Sequence, residues 1–384
     1  MVVYFDNAAT TRPFDEVVES LKEFLLQNYG NPSSLHRLGV SAEKVLKEAR
    51  HRIAQKVGAT PDEIYFTSGG TEANNLALIG VAFANKKRGN KIISSPVEHP
   101  SVSSTLDYLK SCGFEIGFLK VDQNGNIDFE ELENEVDTGT ILVSVMLVNN
   151  ETGHIFDVKK IAQVVKRKNP NVLVHTDAVQ AFMKEKIDVR DLNVDLMSLS
   201  GHKIHALKGI GALYIKKGVN IQPIIFGGEQ QNKIRPGTEN MPGIFSIYKA
   251  MEVYEKLQNE QPDKLRMIKQ RFIDGLQDFD DVFINSPLDV TSDAILNVSF
   301  LGIKSEVLLH TLEGYGVFAS SGSACSSRGR TYNRVLYSMK KSMEIAQSSI
   351  RFSFSYLNTP EEVDYVLEVL KKSLKFLQEI KRKG

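Results

Sequence analysis

The stretch Ser198-Leu199-Ser200-Gly201-His202-Lys203 places a lysine directly behind a short apolar run. Residues 194–199 and 209–215 have the length and composition of two buried strands, so Lys203 falls in the polar loop between them. In open α/β sheets, ligands bind in the loops that follow the carboxyl ends of strands. A lysine amine taken out of water forms Schiff bases with carbonyl groups. Most lysines are solvated surface residues, so the meaning of this one depends on its neighbours.

The chain upstream of this stretch alternates between apolar runs, polar loops and helical patterns. The apolar runs that predict strands lie at residues 64–66, 91–95, 141–148 and 172–174. This alternation predicts an α/β fold with a large doubly wound mixed sheet. A long helical pattern at residues 243–278 is predicted to link the sheet to a smaller α/β domain. We place the large domain at residues 14–257 and the small domain at residues 1–13 and 258–384.

Composition narrows the class of protein. The chain has 384 residues, 42% of them apolar and 24% charged, so it can bury the core of an enzyme. Its 47 basic and 47 acidic residues balance, which predicts neither a nucleic acid nor a membrane as partner. The first residues lack the basic region and apolar core of a signal peptide, so we predict a cytoplasmic protein. Two cysteines, Cys112 and Cys325, form no zinc-binding pattern, and we predict no metal.

Residues 67–75, TSGGTEANN, join one predicted strand to a helical pattern. A glycine turn at the start of a helix directs backbone N–H groups and a partial positive charge towards one point, which favours a phosphate group. An ordinary turn capped by Thr71 is the alternative. The stretch matches neither the dinucleotide-binding fingerprint nor the P-loop pattern, which disfavours those two kinds of site.

Polar residues follow three other predicted strands at the same edge of the sheet. They are His99, Asn150 and Asp177, with Gln180 three residues further on. If an aromatic nitrogen heterocycle binds there, Asp177 holds its ring nitrogen protonated and Gln180 bonds a ring oxygen. Alternatively, Asp177 serves as a helix cap and His99 is a structural or solvated histidine.

The carboxyl-terminal third contains two further candidates. Cys325 lies in a run of small residues beside Arg328, and guanidinium charge favours the thiolate. We predict a mobile, exposed loop in which Cys325 is a nucleophile, with an incidental exposed cysteine as the alternative. Arg351 alternates with aromatic residues on a predicted strand, where a rigid guanidinium suits a substrate carboxylate. A solvent-facing arginine is the alternative there.

Taken in order, the motifs of this chain resemble those of the NifS/IscS cysteine desulfurases, within the class V aminotransferase-like pyridoxal-phosphate enzymes. The resemblance covers essentially the full length, and its motifs are specific in combination. They are DNAATT at 6–11, NPSSLH at 31–36, TSGGTEANN at 67–75, EHPSV at 98–102, NNETG at 149–153, DAVQ at 177–180, SGHK at 200–203, RPGTEN at 235–240, SSGSACSS at 320–327 and SSIRFS at 348–353.

The resemblance implies the pyridoxal-phosphate-dependent transferase fold of the aspartate aminotransferase type, called fold type I. It implies that Lys203 carries pyridoxal 5'-phosphate as a Schiff base and that Asp177 pairs with the pyridinium nitrogen. His99 would lie over the ring and act as a catalytic residue that carries a proton. Asn150 would contact the cofactor, and Gln180 would lie near its phenolic oxygen. The residues implied to hold the phosphate are Gly70, Thr71, Ser200 and His202, with Thr238 supplied by the neighbouring subunit of a homodimer.

The reaction implied by the resemblance converts L-cysteine to L-alanine. Asn150 and Arg351 would bind the substrate, Arg351 through the carboxylate, and Cys325 would accept the sulfur as a persulfide. An iron–sulfur scaffold or another sulfur-acceptor protein would receive it. The alternatives are selenocysteine lysis or another class V pyridoxal-phosphate reaction, and, in a different class, a non-catalytic sulfur carrier that uses Cys325 as a docking thiol.

Two features depart from the family pattern. Residues 204–209 read Ile-His-Ala-Leu-Lys-Gly where the family commonly has a glycine–proline pair, so we expect a different backbone beside Lys203. Residues 326–343 are basic and polar. They resemble the longer, flexible form of the loop, which favours direct delivery of sulfur to a scaffold protein.

Overall fold

A computed structural model of the chain describes residues 1–322 and 332–383. Its strands are β1 (Val3–Tyr4), β2 (Ile64–Thr67), β3 (Lys91–Ser94), β4 (Glu115–Phe118), β5 (Thr140–Ser144), β6 (Leu173–Asp177), β7 (Leu196–Ser200), β8 (Gly211–Ile215), β9 (Val282–Ile284), β10 (Ile295–Phe300), β11 (Val317–Phe318) and β12 (Ser349–Ser353). Its α-helices are α1 (Asp15–Gln27), α2 (Arg37–Val57), α3 (Gly70–Asn85), α4 (Pro100–Ser111), α5 (Phe129–Glu135), α6 (Val158–Lys168), α7 (Val189–Leu192), α8 (Met241–Glu260), α9 (Lys264–Leu276), α10 (Ser305–Glu313), α11 (Arg334–Ser338), α12 (Met343–Ser348) and α13 (Pro360–Lys383).

Seven strands form one mixed sheet in the order β2-β8-β7-β6-β5-β3-β4. Strands β4, β3, β5, β6 and β7 are mutually parallel, while β8 runs antiparallel to both of its neighbours. Every residue of β5 and β7 is buried, as expected for strands covered by helices on both faces. This is the doubly wound sheet that the alternating sequence pattern predicts.

The strand directions decide where the loops meet. Because β2 is antiparallel to β8, it runs in the same direction as β7. The carboxyl ends of β2, β3, β5, β6 and β7 therefore all face one edge of the sheet. The loops that follow them carry the polar residues singled out from the sequence, so this edge is where a site can form.

A second, antiparallel sheet has the order β12-β10-β9, and β1 pairs with β11. The amino-terminal segment is held against β12, since Phe5 packs edge-on against Phe354 and the Phe5 carbonyl accepts a hydrogen bond from the Ser353 amide. The hydroxyl of Ser353 accepts a further bond from the Ala8 amide. These contacts fix the course of the segment towards the large sheet. The division into two domains at the residues given above stays a prediction.

The helix predicted at residues 243–278 is two helices in the structure. Helix α8 ends at Glu260 and α9 begins at Lys264. Pro262 explains the break, because proline lacks an N–H group and pushes the preceding residue out of the helical conformation. Gln261 accordingly has φ −140° and ψ 63°. Among the residues that the structure describes, no helix combines the length and apolar character needed to cross a membrane.

Candidate active site

A cavity of about 580 Å³ opens at the shared edge of the large sheet. Its walls come from the amino-terminal segment, from the loops after β2, β3, β5, β6 and β7, and from β12. The predicted site residues that line it are Gly70, Thr71, His99, Asn150, Asp177, Gln180, His202, Lys203 and Arg351. The fold therefore brings together side chains that are spread over about 280 residues of sequence, as five loops at one sheet edge would predict.

Lys203 lies on the cavity wall with its side chain almost fully buried. Its amine donates to the carbonyl oxygens of Ala8 and Ala9 at 2.5 and 2.6 Å. Burial, together with the positive charges of Arg351 and Lys184, lowers the pKa of Lys203 to about 7 against the opposing effect of the carboxylates of Asp6 and Asp177. A large fraction of the Lys203 amine is therefore neutral, and able to act as a nucleophile or base, near pH 7.

Asp177 is held by two donors at the end of β6. Its Oδ2 accepts from Asn74 Nδ2 at 2.7 Å, and its Oδ1 accepts from the Val179 amide at 2.9 Å. Asn74 also donates to Ser101, which lies at the start of α4. The carboxylate of Asp177 is thus buried in a fixed orientation beside the cavity, where it can pair with a protonated ring nitrogen.

His99 caps α4 with its ring. The Nδ1 atom of His99 accepts a hydrogen bond from the Ser101 amide at 3.1 Å, so the neutral ring carries its proton on Nε2. Burial lowers the pKa of His99, and the charges of Lys203, Arg334 and Arg351 add to this effect while Asp177 opposes it. His99 is consequently an uncharged aromatic ring at neutral pH, suited to lie against another flat ring.

The neighbouring residue Glu98 also lines the cavity. Burial raises the pKa of Glu98 to about 8, so its carboxyl group is protonated at neutral pH. Its Oε1 accepts from Ser95 Oγ at 2.5 Å and from the Met146 amide at 3.0 Å. Its carbonyl oxygen accepts from Arg334 Nη2 at 2.6 Å, which ties the start of α11 to the loop after β3.

Arg351 lies on β12 and lines the cavity. Its Nη1 donates to the carbonyl oxygen of Asn150 at 2.9 Å and to Glu151 Oε1 at 3.0 Å, and its Nη2 donates to Asp6 Oδ1 at 3.1 Å. The side chain of Arg351 is only 6% exposed. Arg351 is therefore a buried guanidinium held rigidly by two carboxylates, rather than an arginine on a solvent-facing strand surface.

Comparison with known proteins identifies the family. The model of the class-V aminotransferases matches residues 3–366. The cysteine desulfurase IscS of Clostridium botulinum (strain Hall) is 43% identical over 381 residues, which cover 98% of this chain and 96% of that protein. The cysteine desulfurase IscS of Methanosarcina thermophila is 43% identical over 368 residues, covering 96% and 91%. This chain belongs to the class-V aminotransferases, among the IscS/NifS cysteine desulfurases.

Solved structures agree with this assignment. A structure described as a NifS-like protein matches with a TM-score of 0.92 and 40% identity, covering 98% of this chain and all of that one. A structure of SspA in complex with cysteine matches with a TM-score of 0.81 and 32% identity, covering 93% and 100%. This cysteine desulfurase accordingly has the type I fold and depends on pyridoxal phosphate, as the sequence motifs imply.

The cavity fits that cofactor. The turn after β2 needs two glycines, because Gly69 has φ 153° and ψ −176° and a Cβ at Gly70 would lie 2.6 Å from Val179. The helix α3 begins at Gly70 on the cavity wall, and the first amides of a helix are suited to hold a phosphate group. Within the described residues, Asn150 Oδ1 lines the cavity and is buried without a hydrogen-bond partner. Such groups rarely stay unpaired, and a ligand with polar atoms would satisfy them.

Three predicted site residues are not part of the cavity wall of the described chain. Ser200 lies behind the glycine turn, with its Cβ 3.7 Å from the position of a Cβ at Gly70. Thr238 is exposed and does not line the cavity of its own chain. Cys325 lies outside the residues that the structure describes, so the predicted mobility of its loop and its role as nucleophile stay predictions.

Several residues of the site were not predicted from the sequence. Asp6 and Glu151 pair with Arg351, and the carbonyls of Ala8 and Ala9 hold Lys203. Asp6 lies in the DNAATT motif and Glu151 in the NNETG motif. Their presence in these two family motifs was the one indication in the sequence that they belong to the site. Arg334 was counted in the basic segment thought to face a scaffold protein, but it lines the cavity instead.

The loop after Lys203 contains a residue in an uncommon backbone conformation, while the predicted difference from the family backbone stays a prediction. His205 has φ 65°, a left-handed conformation that most side chains disfavour. Its ring stacks on Phe14 with the centroids 4.2 Å apart, and its Nδ1 lies 2.7 Å from the carbonyl oxygen of Arg12. The packing of His205 on the amino-terminal segment compensates for the conformational strain and holds that segment beside Lys203.

The rate of cofactor binding should depend on pH near the pKa of the Lys203 amine. Formation of a Schiff base requires the neutral amine, whose fraction rises as the pH passes through the pKa of about 7. We expect the rate at which cofactor-free protein turns yellow with pyridoxal phosphate to rise between about pH 6 and 8 and then level off. A rate that keeps rising about tenfold per unit above pH 8 would indicate an ordinary lysine instead.

Proposed function

We propose that this cysteine desulfurase transfers the sulfur of L-cysteine to the thiol of Cys325, using Lys203, Asp177 and Arg351 as described below. In the overall step the Cβ–S bond of L-cysteine breaks, an S–S bond forms at Cys325, and Cβ gains a proton. L-cysteine and a thiol thus become L-alanine and a persulfide, and no external oxidant or reductant is needed. Cys325 as acceptor rests on the SSGSACSS motif and on the family of the chain.

The observation that carries this proposal is the neutral, buried amine of Lys203 in the same cavity as the guanidinium of Arg351. A buried amine with a pKa of about 7 can both join a carbonyl group and move a proton at neutral pH. A buried guanidinium selects a carboxylate. A cavity that offers both groups suits an α-amino acid, whose amino and carboxylate groups share one carbon atom.

Each residue then has a defined task. Arg351 binds the substrate carboxylate, which fixes the Cα–H bond relative to Lys203, and Lys203 takes up the proton released at Cα. Asp177 holds the proton of the cofactor ring nitrogen, while the uncharged ring of His99 packs against the cofactor ring. Gly70, Thr71, Ser200 and His202 hold the phosphate. When bound, pyridoxal phosphate provides the carbonyl group for the amine and accepts the electron pair left at Cα.

His202 is suited to a phosphate through the proton position on its ring. Burial, together with the nearby positive charge of Lys203, lowers the pKa of His202 to about 3. The ring is therefore neutral at pH 7, and its Nδ1 lies 3.2 Å from the hydroxyl of Thr10. A neutral imidazole still donates one hydrogen bond, which a phosphate oxygen accepts.

Exchange of Arg351 for lysine tests the assignment of the substrate carboxylate. Lysine keeps the positive charge for Asp6 and Glu151, but it loses the two parallel donors that a carboxylate accepts. We expect Arg351→Lys to raise the KM for L-cysteine roughly 10- to 100-fold, as for the loss of a charged hydrogen bond. The measurement is alanine released from L-cysteine with a thiol reductant present. An unchanged KM would assign the carboxylate to another residue.

The proposal includes a homodimer with shared active sites. Thr238 is exposed, and several large apolar side chains are exposed in the same chain, among them Leu35, Phe226 and Tyr29. Single exposed apolar side chains also occur on monomers, so the homodimer rests on the family resemblance of the chain. Light scattering of the purified protein measures the mass directly, and a monomer would remove Thr238 from the phosphate site.

The physiological sulfur acceptor is proposed to be an iron–sulfur scaffold or a thiolation protein in the cytoplasm. Relatives of this chain carry the name IscS. A persulfide on a chain that has only two cysteines suits a reducing compartment. Transfer of sulfur from the loaded enzyme to a purified scaffold protein is the direct test of this part.

A further inference from the structure

We propose that Glu151 is a positioning residue that couples the substrate-binding guanidinium of Arg351 to the residues flanking the segment that carries Cys325. The inference rests on the proposed function, because it assumes that Arg351 binds the substrate and Cys325 accepts the sulfur. It concerns two residues, Glu151 and Asn333, to which that function assigns no role.

The two oxygens of the Glu151 carboxylate have different partners. Its Oε1 accepts from Arg351 Nη1 and from Asn150 Nδ2, both at 3.0 Å. Its Oε2 accepts from Asn333 Nδ2 at 2.9 Å. Glu151 is 7% exposed, and its own amide donates to Asn149 Oδ1 at 2.9 Å. The carboxylate is therefore a buried bridge between the loop after β5, strand β12 and the start of α11.

Asn333 has no freedom to exchange these partners. Its Oδ1 accepts from the amides of Val335 and Leu336 and so caps α11. The backbone N–H of Asn333 donates to the Ala346 carbonyl oxygen at 2.9 Å. With Oδ1 used by the helix, the side-chain NH₂ group faces Glu151. If the Glu151 carboxylate moves, Asn333 has to move with it to keep their hydrogen bond. Because Asn333 caps α11, the first turn of that helix is displaced as well.

Gly322, which precedes residues 323–331, packs closely against the side chains of Asn333 and Glu151. A Cβ atom at Gly322 would overlap the amide group of Asn333 and lie 2.9 Å from Glu151 Oε2. Glycine is thus required for this close approach. The residues that flank positions 323–331 on both sides therefore converge on one carboxylate, and that carboxylate is bonded to Arg351.

The bonds of Glu151 link the binding of substrate at Arg351 to the position of Asn333. Arg351 already faces the carboxylates of Asp6 and Glu151. A substrate carboxylate adds a third negative group, so the guanidinium shares its donors and its bond to Glu151 Oε1 weakens. The change is passed to Asn333 because both bonds are made by one rigid group. Asn333 reaches Arg351 through Glu151, so we expect its anchoring to affect sulfur transfer more than the binding of the substrate.

The test separates substrate binding from sulfur transfer in the holoenzyme. Asn333→Ser keeps a residue that caps helices well but removes the donor to Glu151. Asn333→Asp keeps the cap and places a second carboxylate against Glu151. Two quantities are measured for each variant: the dissociation constant of L-cysteine, from the change in cofactor absorbance, and the rate at which Cys325 gains one sulfur atom, from mass spectrometry.

We expect Asn333→Ser to leave the dissociation constant of L-cysteine within about twofold and to slow persulfide formation on Cys325 about tenfold, with a larger slowing for Asn333→Asp. Glu151→Gln should impair both quantities, because it touches both partners. Asp128→Ser, which changes the cap of another short helix, α5, is the matched control and should alter neither quantity.

Persulfide formation at the wild-type rate in both Asn333 variants would overturn the inference and leave the proposed function standing. So would an Asn333→Ser variant that binds L-cysteine as weakly as Glu151→Gln, since the effect would then be on the substrate site alone. Absence of persulfide from Cys325 in the wild-type enzyme would instead overturn the proposed function, and the inference with it.

Discussion

Replacement of Lys203 by arginine is expected to reduce alanine formation from L-cysteine by about 10³-fold or more and to remove the yellow colour of the bound cofactor. Arginine has a similar length and can still donate to the carbonyls of Ala8 and Ala9 that hold the lysine amine. It stays protonated at every accessible pH, so it can neither join a carbonyl group nor take up a proton.

Lys184 offers a matched control for this experiment. Burial lowers the pKa of Lys184 to about 8, and its amine lies 3.4 Å from Gln180 Oε1. Lys184→Arg keeps the positive charge near Lys203 and should retain the cofactor colour and most of the activity. If Lys203→Arg kept more than about a tenth of the wild-type rate, the assignment of Lys203 as nucleophile and base would be wrong.

Removal of the thiol at Cys325 is expected to stop catalytic release of alanine. In the proposed reaction the Cβ–S bond breaks only as the thiolate of Cys325 takes the sulfur atom. Cys325→Ala removes that acceptor, and we expect the alanine rate to fall about 100-fold or more while the cofactor still binds. The measurement is alanine released per enzyme from L-cysteine in the presence of a thiol reductant.

Cys112 is the control for nonspecific thiol effects. It is a half-buried free cysteine at the end of α4, outside the cavity wall of the described chain. Cys112→Ala should release alanine at the wild-type rate. Equal alanine from Cys325→Ala and wild type would keep the cofactor assignment and move this enzyme to a different lyase chemistry.

Much of the site followed from one property of parallel sheets. Loops at the carboxyl ends of parallel strands share an edge, so His99, Asn150, Asp177 and Lys203 were expected together before any distance was known. Each pattern was weak alone, because a histidine or an aspartate after a strand has simpler explanations. Their common position in the cavity is what the structure adds.

Other parts of the site depend on contacts that no local pattern reveals. The backbone carbonyl oxygens of Ala8 and Ala9 accept hydrogen bonds from Lys203. Because the alanine side chain is not polar, no sequence pattern indicates these bonds, and only the path of the amino-terminal segment shows them. Arg351 was correctly placed on a strand and in the site, but its two carboxylate partners are about 345 and 200 residues away in sequence. The end of α8 was missed because the break at Pro262 was read as part of one helical pattern.

The role of Cys325 is tested most directly by the mass of the peptide that contains it. The wild-type holoenzyme is mixed once with L-cysteine, without reductant, and digested after alkylation. The account predicts one added sulfur atom on the Cys325 peptide, in step with one alanine released, and none on the Cys112 peptide. Alanine release without sulfur on Cys325 would contradict the account.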